Sequence, residues 1–288
     1  MFVMKNFKLD LPFRTSGASE YIAPMTVYAP SNGLDLYINK NRPAVVIYPG
    51  GGYSFTYDGE AEPIALKFAA AGICAFVVNY SCAPARFPQA LVEALEAVRY
   101  VREHAEDFGI NPNNIATCGF SAGGHLCGCT GTLWNHPCLA EYLQEDRSVY
   151  RPDKLILCYP VLKNTGNHHQ GSFDNLLGTD EELQTAEMLE LTSLEKQVSA
   201  QTPPCFLWHT FEDTAVPIDG TLEFSEKLLE VGIPMEIHIF PHGGHGSCLA
   251  NYVTADMPID KVHAMAEWID KAIRFALDES ILPAKEEA

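Results

Sequence analysis

Residues 119–125 read Gly-Phe-Ser-Ala-Gly-Gly-His, and a short strand-like run, residues 115–118, leads straight into them. A serine with a glycine two positions before and after it, between a strand and a helix, is typical of a turn so sharp that the serine takes a positive φ. Gly119 and Gly123 are required because the flanking segments pass too close for a Cβ atom. The alternative is an ordinary glycine-serine loop, but the flanking strand and helix favour the sharp turn. The pattern predicts that Ser121 stands above a sheet, where a helix begins with unpaired N–H groups.

Short apolar runs alternate with helical stretches from residue 44 onward. Runs that are apolar throughout are typical of strands buried on both faces, as in a parallel sheet. Residues 89–104 instead repeat their apolar positions at helical spacing. The sequence therefore predicts an α/β fold with a mostly parallel central sheet and helices on both faces. The predicted strands are residues 44–48, 73–78, 115–118, 154–159, 205–208 and 235–240, and the predicted helices are residues 63–71, 89–104, 122–133, 219–231 and about 260–276.

Two parts of the chain depart from this alternation. Residues 21–28 and 34–37 are typical of an edge hairpin that feeds the sheet, so residues 1–43 are assigned to N-terminal edge strands. Residues 161–200 are polar and weakly periodic, which suggests a small cap over the edge where parallel strands end. A surface excursion without contact to substrate fits their composition equally well. The whole chain, residues 1–288, is predicted to be a single domain.

Charge and cysteine content restrict the class of protein. A formal net charge of −18 argues against binding to nucleic acid or to an anionic membrane surface, because both are polyanions. We see neither a secretory signal nor an apolar stretch of membrane-spanning length, so we expect a cytoplasmic protein. Its nine cysteines are then expected to be reduced and mostly buried. The spacing of Cys127, Cys129 and Cys138 fits no common zinc pattern. The pair at residues 168–169 has no evident third ligand, so neither a metal nor a cofactor is expected.

A catalytic serine needs partners because its hydroxyl is a poor nucleophile at neutral pH. After a turn of this kind, the acid and the histidine follow the serine in that order. Asp213 lies in a loop after one predicted strand, and His245 lies in a glycine-rich loop after the next. Both side chains can then reach Ser121 across the top of the sheet. We predict Ser121 as the nucleophile, His245 as the general base and Asp213 as the acid that orients it.

Neighbouring residues offer alternatives for two of these roles. Glu212 is the alternative acid, and the place of Asp213 before a Val-Pro turn favours the aspartate. His242, three residues before the predicted base, is the alternative histidine and fits a turn residue. His209 lies on the strand side of its loop, so a structural role is expected for it.

A second glycine motif follows the first buried strand. Residues 49–53 read Pro-Gly-Gly-Gly-Tyr, at the position where a second set of backbone N–H donors is expected. Glycine lets the backbone approach a substrate carbonyl closely. We predict that the N–H groups of Gly51, Gly52 and Ala122 form an oxyanion hole. A phosphate cradle is the alternative, and the lack of a following Gly-Lys-Ser/Thr argues against it.

These motifs resemble the α/β-hydrolase fold, and within it the hormone-sensitive-lipase-like esterases and the related acetyl xylan esterase-like and feruloyl esterase-like proteins. The resemblance covers nearly all of the chain from about Ala44 onward. It implies a serine hydrolase with a Ser-His-Asp triad that acts on small acyl esters without a cofactor or metal. Besides the serine motif it rests on Asn79-Tyr80, Ala83-Pro84, Phe87-Pro88, Asp213 with Val216-Pro217, and Gly244-His245-Gly246.

Two positions depart from the lipase-like pattern. The residue before the glycines is Pro49, where the lipase-like motif has histidine, and this matches the xylan-esterase-like branch. The arginine that usually follows the tyrosine at position 80 is Ser81 here, a change that we expect to affect packing under the site.

These features together predict a carboxylesterase that prefers short acyl chains and acts on a small-molecule ester, with acetylated sugars as candidate substrates. The short-chain preference follows from the lack of a long apolar lid in residues 161–200. An amidase, formamidase or peptidase-like hydrolase can use the same triad. A non-catalytic binding protein on a hydrolase scaffold is the alternative from another class, although such proteins usually lose the serine or the histidine. The last helix allows a homodimer, which nothing in the sequence requires.

Overall fold

A computed structural model describes residues 3–10, 22–30, 41–180, 184–254 and 264–282. Its centre is a sheet of eight strands: β1 (Val3–Asp10), β2 (Ile22–Ala29), β3 (Arg42–Tyr48), β4 (Cys74–Val78), β5 (Ile110–Phe120), β6 (Lys154–Cys158), β7 (Cys205–Thr210) and β8 (Met235–Phe240). They lie in the spatial order β1-β2-β4-β3-β5-β6-β7-β8. The first two pairings in this order are antiparallel, and all the others are parallel. The predicted mostly parallel α/β fold is confirmed.

Helices cover both faces of the sheet because successive side chains of a strand point to opposite faces, and in the buried strands both sets are apolar. In β3, Val46 packs with one apolar cluster, and Val45 and Ile47 pack with the other. The helices are α1 (Glu62–Ala70), α2 (Gln89–Glu103), α3 (Ala105–Phe108), α4 (Ser121–Thr132), α5 (Gln170–Leu177), α6 (Ala186–Leu191), α7 (Asp219–Val231) and α8 (Trp268–Leu277). The first cluster includes residues of α2, α4 and α7, and the second includes residues of α1 and α8.

The N-terminal strands form the antiparallel part of the sheet. β2 pairs with β1 on one side and with β4 on the other. Residues 34–37, predicted as the second strand of the edge hairpin, lie outside the described part of the chain.

Two element boundaries differ from the prediction by five residues or more. β5 begins at Ile110, five residues earlier than predicted, because Ile110 already pairs with Arg42 of β3. The register then shifts before Ala44 pairs with Ile115. The last helix, predicted from about residue 260, begins at Trp268 after one 3₁₀ turn, Met265–Glu267. Residues 255–263 lie outside the described ranges. None of the helices in the described ranges is long and apolar enough to cross a membrane.

Candidate active site

Ser121 occupies the junction between β5 and α4 with a φ of 53°, as predicted for a sharp turn. The two glycines around it have no room for a side chain. A Cβ on Gly119 would lie 2.0 Å from the carbonyl oxygen of Gly123, and one on Gly123 would lie 2.1 Å from that of Tyr48. The local backbone therefore requires glycine at both positions, and the turn presents the serine hydroxyl at the C-terminal edge of the sheet.

The three predicted side chains meet in one hydrogen-bonded chain. The distance between His245 Nε2 and Ser121 Oγ is 2.7 Å, and that between His245 Nδ1 and Asp213 Oδ2 is 2.6 Å. The other carboxylate oxygen of Asp213 accepts the N–H groups of Ala215 at 3.0 Å and Val216 at 2.9 Å. With a proton on Nδ1, Nε2 of His245 is free to accept the serine proton.

Asp213 is buried, yet its surroundings favour the ionised carboxylate. Burial by itself raises the pKa of this carboxyl, but hydrogen bonds from His209 and His245 outweigh it and hold the pKa well below its usual range. His209 Nε2 lies 3.0 Å from the carbonyl oxygen of Val216, which can only accept, so this nitrogen carries a proton. The same nitrogen lies 3.3 Å from Asp213 Oδ2. His209 therefore supports the carboxylate from inside the protein.

The alternative acid and base lie apart from this chain. Glu212 Oε1 and His242 Nδ1 are 2.9 Å apart, and more than half of each side chain is exposed. They form an ion pair at the surface when the histidine is protonated. The structure thus brings Asp213 and His245, rather than their neighbours, to Ser121.

The glycine loop after β3 lies directly against the serine. A Cβ on Gly50 would be 2.9 Å from Ser121 Cβ. Gly51 and Gly52 have φ values of 127° and 64°, conformations that side-chain-bearing residues rarely adopt. Neither of their N–H groups donates to an acceptor within the described ranges. Ala122 adds an N–H in the first turn of α4, where a helix leaves its donors unpaired. The loop and the helix can therefore supply several donors to one anionic oxygen.

A buried carboxyl beneath the loop orients it, and no sequence pattern identifies this group. Glu60 accepts the N–H of Gly50 at 2.6 Å with one oxygen and the hydroxyl of Tyr159 at 2.6 Å with the other. Burial raises the pKa of Glu60, although both of these hydrogen bonds oppose the shift. The ring of Tyr159 meets that of His245 edge-on, with 5.1 Å between the ring centres. Glu60 and Tyr159 thus link the loop to the histidine.

A hydrogen bond between Tyr53 and His125, which no sequence pattern indicated, holds the other end of the loop. His125 Nε2 lies 2.9 Å from the carbonyl oxygen of Thr192, so Nε2 is protonated and Nδ1 accepts the hydroxyl of Tyr53 at 2.8 Å. Burial lowers the pKa of His125 to about 4, which keeps this acceptor available at neutral pH. The last residue of the Pro-Gly-Gly-Gly-Tyr motif is thereby tied to the last residue of the serine motif.

We expect Tyr53→Phe to lower kcat about 10-fold with little change in KM, because a buried acceptor on His125 loses its partner and the glycine loop loses an anchor. Steady-state kinetics on p-nitrophenyl acetate measure this. Tyr57→Phe is the matched control, because Tyr57 lies four residues along the same segment and is 41% exposed. A rise in KM alone would contradict an effect on the donors.

The segment predicted as a cap packs on the glycine loop. Asn175 Nδ2 of α5 donates to the carbonyl oxygen of Gly52 at 2.9 Å. The N–H of Phe87 donates to the carbonyl oxygen of Leu176 at 2.9 Å, and Arg86 donates to that of Asn175 at 2.9 Å. Within residues 161–200, α5 therefore contacts the glycine loop, which the composition of this segment alone left open.

No metal centre is evident in the part of the chain that the structure covers. It contains no cluster of three or more His, Cys, Asp or Glu side chains that could hold an ion. All nine cysteines are free thiols. Cys127 Sγ contacts Thr117 Oγ1 at 3.2 Å, and Cys129 Sγ lies 3.6 Å from His125 Nδ1, both inside the core.

Known proteins with related sequences include enzymes that act on xylan. The chain is 36% identical over 219 residues to endo-1,4-β-xylanase B of Butyrivibrio fibrisolvens, covering 73% of this chain and 33% of that protein. It is 29% identical over 214 residues to an acetylxylan esterase of Xylanibacter ruminicola, covering 72% of this chain and 42% of that protein. The chain thus spans between a third and a half of the length of these curated relatives.

A solved structure resembles the chain over nearly its full length. The acetyl ester-xyloside bifunctional hydrolase of Caldicellulosiruptor lactoaceticus superposes with a TM-score of 0.78 and is 34% identical, with 95% of this chain and 94% of that chain covered. The model of the BD-FAE family matches residues 27–228, which include the glycine loop, the serine turn and Asp213. With its sheet order and its serine turn, the chain has the α/β-hydrolase fold and belongs to the BD-FAE family.

Proposed function

We propose that the protein is a carboxylesterase in which Ser121 is the nucleophile, His245 the general base and Asp213 the orienting acid. The continuous hydrogen-bonded chain from Ser121 Oγ to Asp213 is the observation that carries this proposal. Its position against the glycine loop, and the esterases among its relatives, add support.

The first half of the reaction forms an acyl-enzyme. Ser121 Oγ attacks the ester carbonyl carbon while His245 Nε2 takes the hydroxyl proton. The carbonyl oxygen becomes negative and is stabilised by the N–H groups of Gly51, Gly52 and Ala122. As the tetrahedral intermediate collapses, His245 gives the proton to the leaving alcohol. The acyl group is then bonded to the serine.

The second half repeats these roles with water. His245 takes a proton from water as its oxygen attacks the acyl carbon, and the same donors stabilise the new oxyanion. Collapse breaks the bond to Ser121, whose oxygen recovers the proton from His245. The products are a carboxylic acid and the free enzyme. Asp213 holds the imidazole in position and stabilises its charged form in both halves.

The proposed substrates are short-chain acyl esters, with acetylated sugars as the natural class. Residues 161–200 hold no long apolar lid in their sequence, which supports a small acyl group. Two relatives, an acetylxylan esterase and an acetyl ester-xyloside hydrolase, support the choice of an acetylated sugar. The proposed location is the cytoplasm, where the nine cysteines of the sequence are expected to stay reduced.

Hydrolysis of p-nitrophenyl acetate, butyrate and octanoate by the wild type and by Ser121→Ala tests this function. We expect activity to fall with chain length and to be lost in the variant, which circular dichroism should show to be folded. Faster turnover of octanoate would contradict the short-chain preference. A folded but inactive wild type would contradict the esterase assignment. It would favour an amide substrate or a non-catalytic binding protein.

A further inference from the structure

His169 lies at the start of α5, beside the glycine loop. Its Cε1 atom is 4.0 Å from the position that a Cβ on Gly52 would occupy. The hydrogen bond from Asn175 to the carbonyl oxygen of Gly52 fixes the same helix against that loop. The partly buried imidazole therefore stands next to one of the N–H groups that the proposed function assigns to the substrate carbonyl.

The helix cap determines which nitrogen of His169 carries the proton. His169 is the N-cap residue of α5, and its Nδ1 lies 2.9 Å from Ser172 Oγ and 3.3 Å from the backbone nitrogen of Ser172. The backbone N–H can only donate and the hydroxyl is able to donate, so Nδ1 is assigned as the acceptor and neutral His169 has its hydrogen on Nε2. Within the described ranges, Nε2 has no hydrogen-bond partner. The cap thus leaves one oriented donor available.

The surroundings of His169 favour its neutral form. Burial lowers the pKa of this imidazole, and the nearby His245 lowers it further, while Asp213 acts in the opposite direction. The site therefore offers a neutral, directional N–H and not a positive charge. A donor of this kind suits an uncharged acceptor such as a hydroxyl or ether oxygen.

Acetylated sugars present such acceptors close to the reacting ester. A partly acetylated pyranose carries a hydroxyl on the carbon next to the ester-bearing carbon, whereas simple aryl acetates have no oxygen there. We propose that His169 Nε2–H binds an oxygen of the sugar in the alcohol portion of the substrate and so selects acetylated sugars. This inference rests on the proposed function, since it concerns the same site.

The neighbouring histidine provides a matched control. His168 Nε2 lies 2.8 Å from Gln170 Oε1, and its Nδ1 lies 2.9 Å from the carbonyl oxygen of Gly166. Both nitrogens of His168 are therefore engaged within its own loop. Asparagine is the informative replacement at position 169, because it remains a good N-cap but is too short to place a donor where Nε2 lies.

We expect His169→Asn to lower kcat/KM about 10-fold for a monoacetylated methyl xyloside with a free neighbouring hydroxyl. For p-nitrophenyl acetate, kcat/KM should stay within about twofold of the wild-type value, and His168→Asn should leave both values unchanged. A deoxy xyloside acetate without the neighbouring hydroxyl extends the test. The wild type should lose the same factor on it, and His169→Asn should lose no more.

Other outcomes overturn the inference. Equal losses on both substrates would mean that His169 acts on the carbonyl or on the fold, and an unchanged rate on the xyloside would mean that it does not bind the sugar. A wild type that hydrolyses p-nitrophenyl acetate but not the xyloside would reject the sugar substrate and this role with it. A wild type inactive on both would instead reject the esterase function.

Discussion

Replacement of His245 by alanine should lower kcat about 10⁶-fold on p-nitrophenyl acetate, close to the level of Ser121→Ala, because the serine proton then has no acceptor. His242→Ala should remain within about threefold of the wild type. Both histidines lie in the loop after β8, but only His245 Nε2 reaches Ser121 Oγ, at 2.7 Å. Steady-state rates of the three variants, purified in parallel, provide the measurement.

The double variant Ser121→Ala/His245→Ala sharpens this test. Residues that act as one unit have strongly non-additive effects, so the double variant should be about as slow as either single variant. Additive losses, or a large loss in His242→Ala, would contradict the assignment of His245 as the base.

Asp213→Asn should lower kcat about 10⁴-fold with the fold intact. The amide presents an N–H₂ group where the carboxylate accepted the Nδ1 proton of His245, so the histidine is driven to the tautomer that cannot accept from serine. Glu212→Gln is the matched control and should be nearly silent, since Glu212 contacts the exposed His242. The kcat values of both variants on p-nitrophenyl acetate measure the difference.

The charge of Asp213 also sets a limit on pH effects. Its pKa is lowered in the folded protein, so the stability that it contributes is complete above the pKa of an unfolded aspartate. That stability is lost only as the pH falls through the lower folded pKa. Protonation of Asp213 therefore does not limit activity near neutral pH.

A Glu212→Gln variant as impaired as Asp213→Asn would contradict the substitution test, because it would mean that Glu212 also serves as the acid that orients His245.

Local sequence signals were sufficient to predict the positions of the site residues that follow the ends of buried strands. The run before Ser121 is apolar, its two glycines are obligatory, and the turn they require is present. Asp213 and His245 come after strands whose carboxyl ends share one edge of the sheet. Because parallel strands bring these loops together, the order of motifs along the chain was enough to predict which side chains meet.

The supporting contacts could not be predicted because they join distant parts of the chain without a local pattern. Tyr159 and Glu60 are 99 residues apart, and Tyr53 and His125 are 72 residues apart. A glutamate side chain is normally exposed to solvent, so its burial is not expected from the sequence. Only the packing of the folded chain shows that Glu60 is 2% exposed. The final histidine of the serine motif was visible in the sequence, but nothing nearby identified its partner.

Local sequence signals also could not predict which strands pair at the N-terminal edge of the sheet. β2 pairs with β1 and with β4, and no local sequence pattern links it to either strand. Strand pairing depends on which edges are left unoccupied by the rest of the sheet. That information is not contained in the composition of any single strand.

The attachment of α5 to the glycine loop has a consequence for how esters are selected. Asn175 of α5 is hydrogen-bonded to Gly52, and Leu176 is hydrogen-bonded to Phe87, so this helix cannot move outward without breaking contacts to the loop that we propose binds the oxyanion. If the proposed function holds, ester selection on this side depends on fit to a preformed wall and not on a closing motion.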